Sequence, residues 1–123
     1  MKLSEAIRKG SEITCPLNGA YFEYNFDDHK VCACAMGAAL CAVKPELLED
    51  VKSMRTFPTD SQLFNMAEEF FGEILFKYPQ ELIEEGYTYE EDIGSLVSVV
   101  IELNDECDWT RERIADWLDQ KGF

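Results

Sequence analysis

Basic residues are scarce in this chain. Its 123 residues include 11 lysine and arginine residues against 25 aspartate and glutamate residues, which gives a formal net charge of −14. A surface of this sign repels the phosphates of nucleic acids and the headgroups of anionic lipids. We therefore expect neither nucleic acid nor a membrane surface among the partners of the protein.

Long apolar runs are also lacking. The longest covers residues 31–43, between Lys30 and Lys44, and as a helix it would be about 20 Å long, too short to cross a bilayer. The opening MKLSEAIRKG has no apolar segment of the length that a secretion signal requires. The five cysteines are an odd number in a chain too large to need disulfide staples. These observations predict a cytoplasmic protein with reduced thiols.

Histidine occurs once, as His29, and no two cysteines show the CxxC spacing of a zinc module. On one helix, Cys32 and Cys34 would point about 200° apart and could not hold one metal ion together. A Cys–His nucleophile pair stays formally open, because His29 lies close to both cysteines in sequence. A cysteine inside an apolar helix is usually inert, so we interpret these cysteines as small buried apolar residues.

Oxygen-bearing side chains cluster in one turn. Asp105 and Asp108 lie among Asn104, Glu106 and Glu112, without the alternating ligands and central glycine of an EF-hand loop. We interpret them as turn and helix-cap residues, with a weak cation site as the alternative. The sequence assigns no catalytic residue, no metal ligand and no cofactor.

Apolar residues at helical spacing dominate what is present. They predict a single domain over residues 1–123, a mainly α, compact bundle of five to six helices, with room for one short strand or hairpin near residues 20–31. The helix 32–43 is apolar on all sides and is predicted at the centre. Small residues recur in it every four positions, which lets neighbouring backbones come close. The predicted helices are 4–9, 32–43, 45–52, 60–77, 91–103 and 111–120, with a short helical turn at 81–85 and a strand as the alternative for 91–103.

Local signals predict where some of these helices begin and end. Ser4 is the predicted N-cap of the first helix, and Gly10 is placed to end it in a left-handed turn. Thr59 and Gln62 fit a capping box. Pro79 is expected to stop the helix that this box opens.

The block 103–118, LNDECDWTRERIADWL, holds the densest local signals. Thr110 is the predicted cap of the last helix, and Trp109 can pack on Ile114 as a hydrophobic staple. Trp117 belongs to the predicted buried stripe of this helix.

The last helix also looks like the first helix of a helix-turn-helix. No recognition helix follows it in the sequence, so DNA binding is not predicted. Arg111 and Arg113 are expected on its solvent side.

Three blocks, KLSEAIRKG, CAMGAAL and LNDECDWTRERIADWL, occur in this order and cover about a quarter of the chain. Together they resemble a family of small uncharacterised bacterial and phage-associated proteins with the pattern LSEAIR…CALGAAL…LND…WTRExIADWL. The resemblance implies the boundaries of three helices and a bacterial or prophage setting, and it implies no catalytic residue. Some relatives carry a CPxC-type segment between the second and third blocks. This chain has no cysteine between Cys41 and Cys107, so no metal role is implied there.

The negative charge is concentrated in residues 57–108, which carry fourteen acidic residues and one basic residue, Lys77. Such a surface usually keeps a small protein soluble, and it can also dock on a basic partner. We predict a noncatalytic protein–protein interaction module that acts through this acidic face or through self-association. The first alternative is an acidic inhibitor that mimics nucleic acid and occupies a basic protein. The second is a cysteine-dependent or metal-dependent enzyme.

Overall fold

The structure, a computed structural model, describes residues 1–53, 58–86 and 93–123, apart from the side chain of Ile83. In these residues the chain forms seven helices and five short strands. The helices are α1 (Leu3–Ile13), α2 (Ala35–Val43), α3 (Glu46–Ser53), α4 (Asp60–Phe71), α5 (Gln80–Glu84), α6 (Leu96–Asp105) and α7 (Arg111–Gln120). The strands are β1 (Cys15–Pro16), β2 (Phe22–Asn25), β3 (Lys30–Ala33), β4 (Leu75–Lys77) and β5 (Ile93–Ser95). A mainly helical fold is confirmed, while two small sheets make it mixed rather than a pure helical bundle.

The helix α2 lies at the centre, as predicted. Every residue from Ala35 to Cys41 is buried, and the helix contacts α1, α3, α4 and α6. It begins at Ala35 rather than at residue 32, because residues 30–33 pair with β2 as a strand. Cys34 has an extended backbone and caps the helix, with its Sγ accepting a hydrogen bond from the Gly37 N–H at 3.3 Å.

The predicted hairpin near residues 20–31 is present and extends to Ala33. β2 and β3 pair in antiparallel fashion, and β1 adds to the other side of β3 in parallel. Val31 and Ala33 are buried, while Lys30 is exposed and Cys32 half-buried. This alternation gives the sheet one face toward the core and one toward solvent.

The helix α1 corrects two predictions at its ends. Gly10 does not end the helix but lies buried inside it, where a Cβ would come within 1.7 Å of the Ala38 carbonyl oxygen. The glycine is therefore needed for close contact between α1 and α2, which matches the small residues predicted to let backbones approach. Ser4 is not the N-cap, because the helix already includes Leu3. The Ser4 side chain is buried, and the backbone N–H of Ser4 donates to the Phe123 carbonyl at 2.8 Å.

The opening and closing helices are joined by one arginine. Arg8 of α1 contacts three carboxylates of α7: Asp116 and Asp119, each at 2.7 Å, and Glu112 at 3.5 Å. The three acids lie at positions i, i+4 and i+7 of α7, which places them along one side of that helix. Two of the sequence blocks therefore meet in the folded protein through complementary charge.

The helix α4 is shorter than predicted. Thr59 and Gln62 form the predicted capping box, but the helix ends at Phe71 rather than at residue 77. Gly72 follows with φ of +95°, a conformation that residues with a side chain rarely adopt. Residues 75–77 then form β4, so Gly72 ends this helix well before Pro79.

The predicted helix 91–103 divides into a strand and a helix. Residues 93–95 form β5, which pairs with β4 in antiparallel fashion, and residues 91 and 92 lie outside the described part. Ser95 then caps α6 by accepting a hydrogen bond from the Ser98 N–H at 3.2 Å. The remaining predictions agree more closely: α3 and α5 are each shifted by one residue, and α7 covers 111–120 as predicted.

Candidate functional site

The structure does not bring His29 together with Cys32 or Cys34. His29 lies in the exposed turn between β2 and β3 with φ of +53°, and its Nδ1 lies 3.1 Å from the Tyr24 hydroxyl oxygen. Within the described residues no hydrogen bond joins it to a cysteine. The prediction that Cys32 and Cys34 share a helix is wrong, because Cys32 lies in β3 and Cys34 precedes α2.

The cysteines fall into two groups. Cys34, Cys41 and Cys107 are buried, as expected for small apolar residues. Burial raises the pKa of the Cys34 thiol to about 11 and that of Cys41 to about 12, so both stay protonated at neutral pH and are poor nucleophiles. Cys15 and Cys32 are half-buried instead. They are direct partners in the parallel pairing of β1 with β3.

The turn that contains Asp105 and Asp108 is organised around the buried Asn104. The Asn104 side-chain oxygen accepts a hydrogen bond from the Ala35 N–H at 2.9 Å, at the start of α2. Its amide nitrogen donates to the Leu17 carbonyl at 2.8 Å and to Asp105 Oδ1 at 2.8 Å, with Asn18 Oδ1 at 3.2 Å. One side chain thus ties α6 to α2 and to the loop before β2.

Both aspartates of this turn hold the same loop. Asp105 Oδ1 accepts from the Gly19 N–H at 3.0 Å, and Asp108 Oδ1 accepts from the Asn18 amide at 2.9 Å. Asp108 has φ of +54°, a conformation that aspartate tolerates better than most residues. These contacts support the interpretation of the acidic turn as a structural element. In residues 1–53, 58–86 and 93–123, no group of three or more His, Cys, Asp or Glu side chains is arranged to hold a metal ion.

Replacement of Asn104 by alanine should lower the free energy of unfolding by about 2 kcal/mol, because it leaves the buried Ala35 N–H and the part-buried Leu17 carbonyl without the Asn104 side chain. Urea denaturation followed by circular dichroism measures the change. Asn65→Ala on the exposed side of α4 is the matched control and should change stability by less than about 0.5 kcal/mol. Equal effects of the two substitutions would contradict the central role of Asn104.

The aromatic block that follows is buried as predicted. Trp109, Ile114 and Trp117 belong to the core, and Thr110 caps α7 by accepting from the Arg113 N–H at 3.1 Å. The rings of Trp109 and Trp117 meet edge to face with centroids 6.3 Å apart. The rings of Trp117 and Phe76 in β4 also meet edge to face, with centroids 5.1 Å apart. This block therefore supports the second sheet.

Arg111 was expected on the solvent side of α7, and this expectation is wrong. Its guanidinium is half-buried and donates to the Thr14 hydroxyl at 2.8 Å, the Thr14 carbonyl at 3.1 Å and the Ala33 carbonyl at 3.4 Å. Among the described residues no carboxylate pairs with it. Burial lowers the pKa of Arg111, and the nearby sulfur atoms of Cys15, Cys32 and Cys34 offset part of that effect. No local sequence pattern signals this contact, because it joins residues about a hundred positions apart.

An exposed apolar surface lies on the second sheet. Ile74, Leu75 and Ile93, which we call the ribbon patch, have exposed fractions of 41%, 75% and 51%. Leu75 and Ile93 share one face of the β4–β5 pair, because Leu75 is two residues from Lys77 and Lys77 is the direct partner of Ile93. The opposite face carries Phe76, which packs on the core. Side chains of this size are usually covered when they occur together on a small protein.

An open cavity of about 440 Å³ adjoins the ribbon patch. Leu75, Phe76 and Trp117 contribute apolar walls, and Lys77, Glu81 and Lys121 contribute charged ones. The cavity and the patch together form a surface that an apolar side chain of another molecule can enter. No sequence pattern predicts this surface, because Ile74 and Leu75 continue the apolar period of the helix predicted over residues 60–77.

Several acids of residues 57–108 have structural partners. Glu85 pairs with Arg113, and Glu102 accepts a hydrogen bond from the Tyr78 hydroxyl at 2.7 Å. Asp105 and Asp108 hold the loop described above. These four carboxylates therefore serve the fold itself and are not available for a row that imitates nucleic acid.

Comparisons with known proteins add no relative. No protein-family model, curated protein or solved structure matches this chain. None of the described helices has the length and apolar character needed to cross a membrane.

Proposed function

We propose that this protein is a noncatalytic interaction module that binds another protein through the ribbon patch and the cavity beside it. The observation that carries the proposal is the exposure of Leu75 and Ile93 on one face of a short sheet, with Ile74 exposed just before β4. Apolar surface of this kind is stabilised when a partner covers it. Its position beside a cavity walled by Phe76 and Trp117 gives a partner side chain a place to anchor.

The charge around the patch indicates the chemistry of the partner. The patch lies within residues 57–108, which carry fourteen acids and one base, Lys77. Glu69, Glu73 and Glu84 are exposed near it in the chain. A partner with an apolar anchor and a lysine- or arginine-rich rim would be attracted to this surface.

Affinity capture with matched baits tests the proposal. The baits are the wild-type chain and the double variant Leu75→Ser/Ile93→Ser. We expect the double variant to retain a partner about tenfold less than the wild type, since it removes the apolar anchor surface. Both side chains are largely exposed, so folding should change by less than about 0.5 kcal/mol per substitution. Quantitative mass spectrometry at low and high salt measures retention, which should also fall as salt rises.

Two further baits separate the alternatives. Phe26→Ser removes an aromatic side chain that is 62% exposed in the turn between β2 and β3, and it should capture the same partner as the wild type. Glu69→Gln/Glu73→Gln removes charge and keeps the patch. If only this last variant lost the partner, the nucleic-acid mimic would be favoured. Equal capture by the wild type and the Leu75→Ser/Ile93→Ser variant would contradict the proposal.

A further inference from the structure

A pair of partly exposed thiols lies far from the ribbon patch in sequence and belongs to the other sheet. Cys15 and Cys32 are direct partners in the parallel β1–β3 pairing, so their side chains leave the same face of the sheet. Neighbouring strands lie about 4.8 Å apart, which falls inside the range of Cα separations that a disulfide spans.

The surroundings of Cys15 are open and locally basic. Cys15 lines a cavity of about 530 Å³ together with His29, Lys30 and Lys52, against a single acid, Glu12. Two lysines against one acid give the cavity a positive balance in a chain with a net charge of −14, although Lys52 also pairs with Glu49 at 3.9 Å. This balance favours the approach of small anionic molecules to the Cys15 sulfur.

Cys32 is half-buried like Cys15 and lines a different cavity, beside Glu23 and Asp27. Burial, and then the neighbouring Cys15 thiol, raise the pKa of the Cys32 thiol. The Arg111 guanidinium acts in the opposite direction on the pKa of Cys32, because its positive charge favours the thiolate.

From this geometry we propose that Cys15 and Cys32 form a dithiol site that closes to a disulfide by exchange with an anionic low-molecular-weight disulfide, such as oxidised glutathione. The Cys15 thiolate attacks one sulfur of the external disulfide, forming a mixed disulfide and releasing one thiolate. Cys32 then loses its proton to water and attacks the Cys15 sulfur. The Cys15–Cys32 bond forms and the second external thiolate leaves. Two protein thiols are oxidised, and one external disulfide is reduced to two thiols.

The site would stay reduced in a reducing compartment and close only when an oxidant accumulates. Closure links β1 covalently to β3 at the edge of the first sheet. The three remaining cysteines are buried and should not compete for the reagent.

Intact-protein mass spectrometry of the native chain treated with oxidised glutathione tests this site. We expect the wild type to lose the mass of two hydrogens, about 2 Da, with peptide mapping showing a Cys15–Cys32 link that a reductant reverses. The variant Cys32→Ser should instead accumulate a stable mixed disulfide at Cys15. Cys15→Ser should react more slowly than the wild type and more slowly than Cys32→Ser. The control variant Cys41→Ala should react as the wild type does.

The contribution of the lysines near Cys15 can be measured separately. Lys52→Glu should slow the reaction with oxidised glutathione by about threefold and leave the reaction with an uncharged disulfide, hydroxyethyl disulfide, unchanged. A wild-type chain that stops at a mixed disulfide, links other cysteines, or reacts only after denaturation would overturn the proposal. Because the readout is covalent linkage in the isolated chain, it is independent of whether the ribbon patch binds a partner.

Discussion

Replacement of Gly10 by alanine should lower the free energy of unfolding by about 3 kcal/mol, as expected for overpacking in a close helix contact. The new Cβ would lie 1.7 Å from the Ala38 carbonyl oxygen and 2.2 Å from its carbon, both rigid backbone atoms of the central helix. The two helices would have to separate by about 1 Å, which loosens every contact between them. Chemical denaturation of the variant measures the loss.

The sign of the change in the free energy of unfolding is decisive, because the helix propensities of glycine and alanine alone predict that the variant is more stable. Inside a helix without neighbours, glycine to alanine stabilises by about 1 kcal/mol. Lys9→Ala is the matched control on the exposed side of α1 and should change stability by less than about 0.5 kcal/mol. A Gly10→Ala variant as stable as the wild type would show that α1 and α2 do not approach as closely as the structure places them.

The same glycine shows where sequence reasoning stops. A glycine after an apolar stretch is typical both of a helix end and of a close helix contact. Which of the two it forms depends on the segment that packs against it in the fold. Gly72 and Gly10 illustrate the two cases: Gly72 has a positive φ and ends α4, while Gly10 continues α1 against Ala38. The sequence predicts a helix end at Gly10 and a continuing helix at Gly72. The first prediction follows from the apparent cap at Ser4, and the second from the apolar period that Ile74 and Leu75 continue beyond Gly72.

Features specified by nearby residues were predicted well. The capping box of Thr59 and Gln62, the cap at Thr110 and the limits of α7 each depend on residues within a few positions. Gly122 follows the last helix with φ of +88°, and the Phe123 N–H donates to the Leu118 carbonyl at 2.9 Å.

Features that join distant segments were missed. The contact of Arg111 with Thr14 and Ala33, and the pairing of Cys15 with Cys32, depend on how β1 and β3 come together. Two-residue strands such as β1 carry no periodicity to detect. The ribbon patch was missed for a different reason, since exposed aliphatic residues look like core residues until the fold shows that nothing in the described chain covers them.

Replacement of Trp109 by alanine should have the largest effect of all, a loss of about 4 kcal/mol in the free energy of unfolding, as is typical for a buried tryptophan. Its side chain is only 4% exposed, and its ring meets Trp117 edge to face. The backbone N–H of Trp109 donates to the Leu103 carbonyl at 2.9 Å, which holds the turn between α6 and α7. The cavity left by the indole would open at the junction of these two helices.

The polar surroundings of the ring allow a graded test. Its Nε1 donates to the Glu85 carboxylate at 3.4 Å, and the Arg113 guanidinium carbon lies 3.8 Å from the ring centroid while pairing with the same carboxylate. Trp109→Phe keeps an aromatic ring in the core and removes only the indole N–H and part of the area. It should lose about 1.5 kcal/mol, between the wild type and the alanine variant.

The order of these variants distinguishes a core residue from a binding residue. If Trp109 supports the fold, both substitutions should lower the denaturation midpoint, in the order alanine below phenylalanine below wild type. A partner-binding tryptophan would behave oppositely, with stability unchanged within about 0.5 kcal/mol and capture of the partner reduced. Because the ribbon patch meets the core through Phe76 and Trp117, which touches Trp109, Trp109→Ala should also weaken capture, but only in proportion to the unfolded fraction. Restoration of capture at lower temperature, where the variant refolds, would assign the loss to stability rather than to a lost contact.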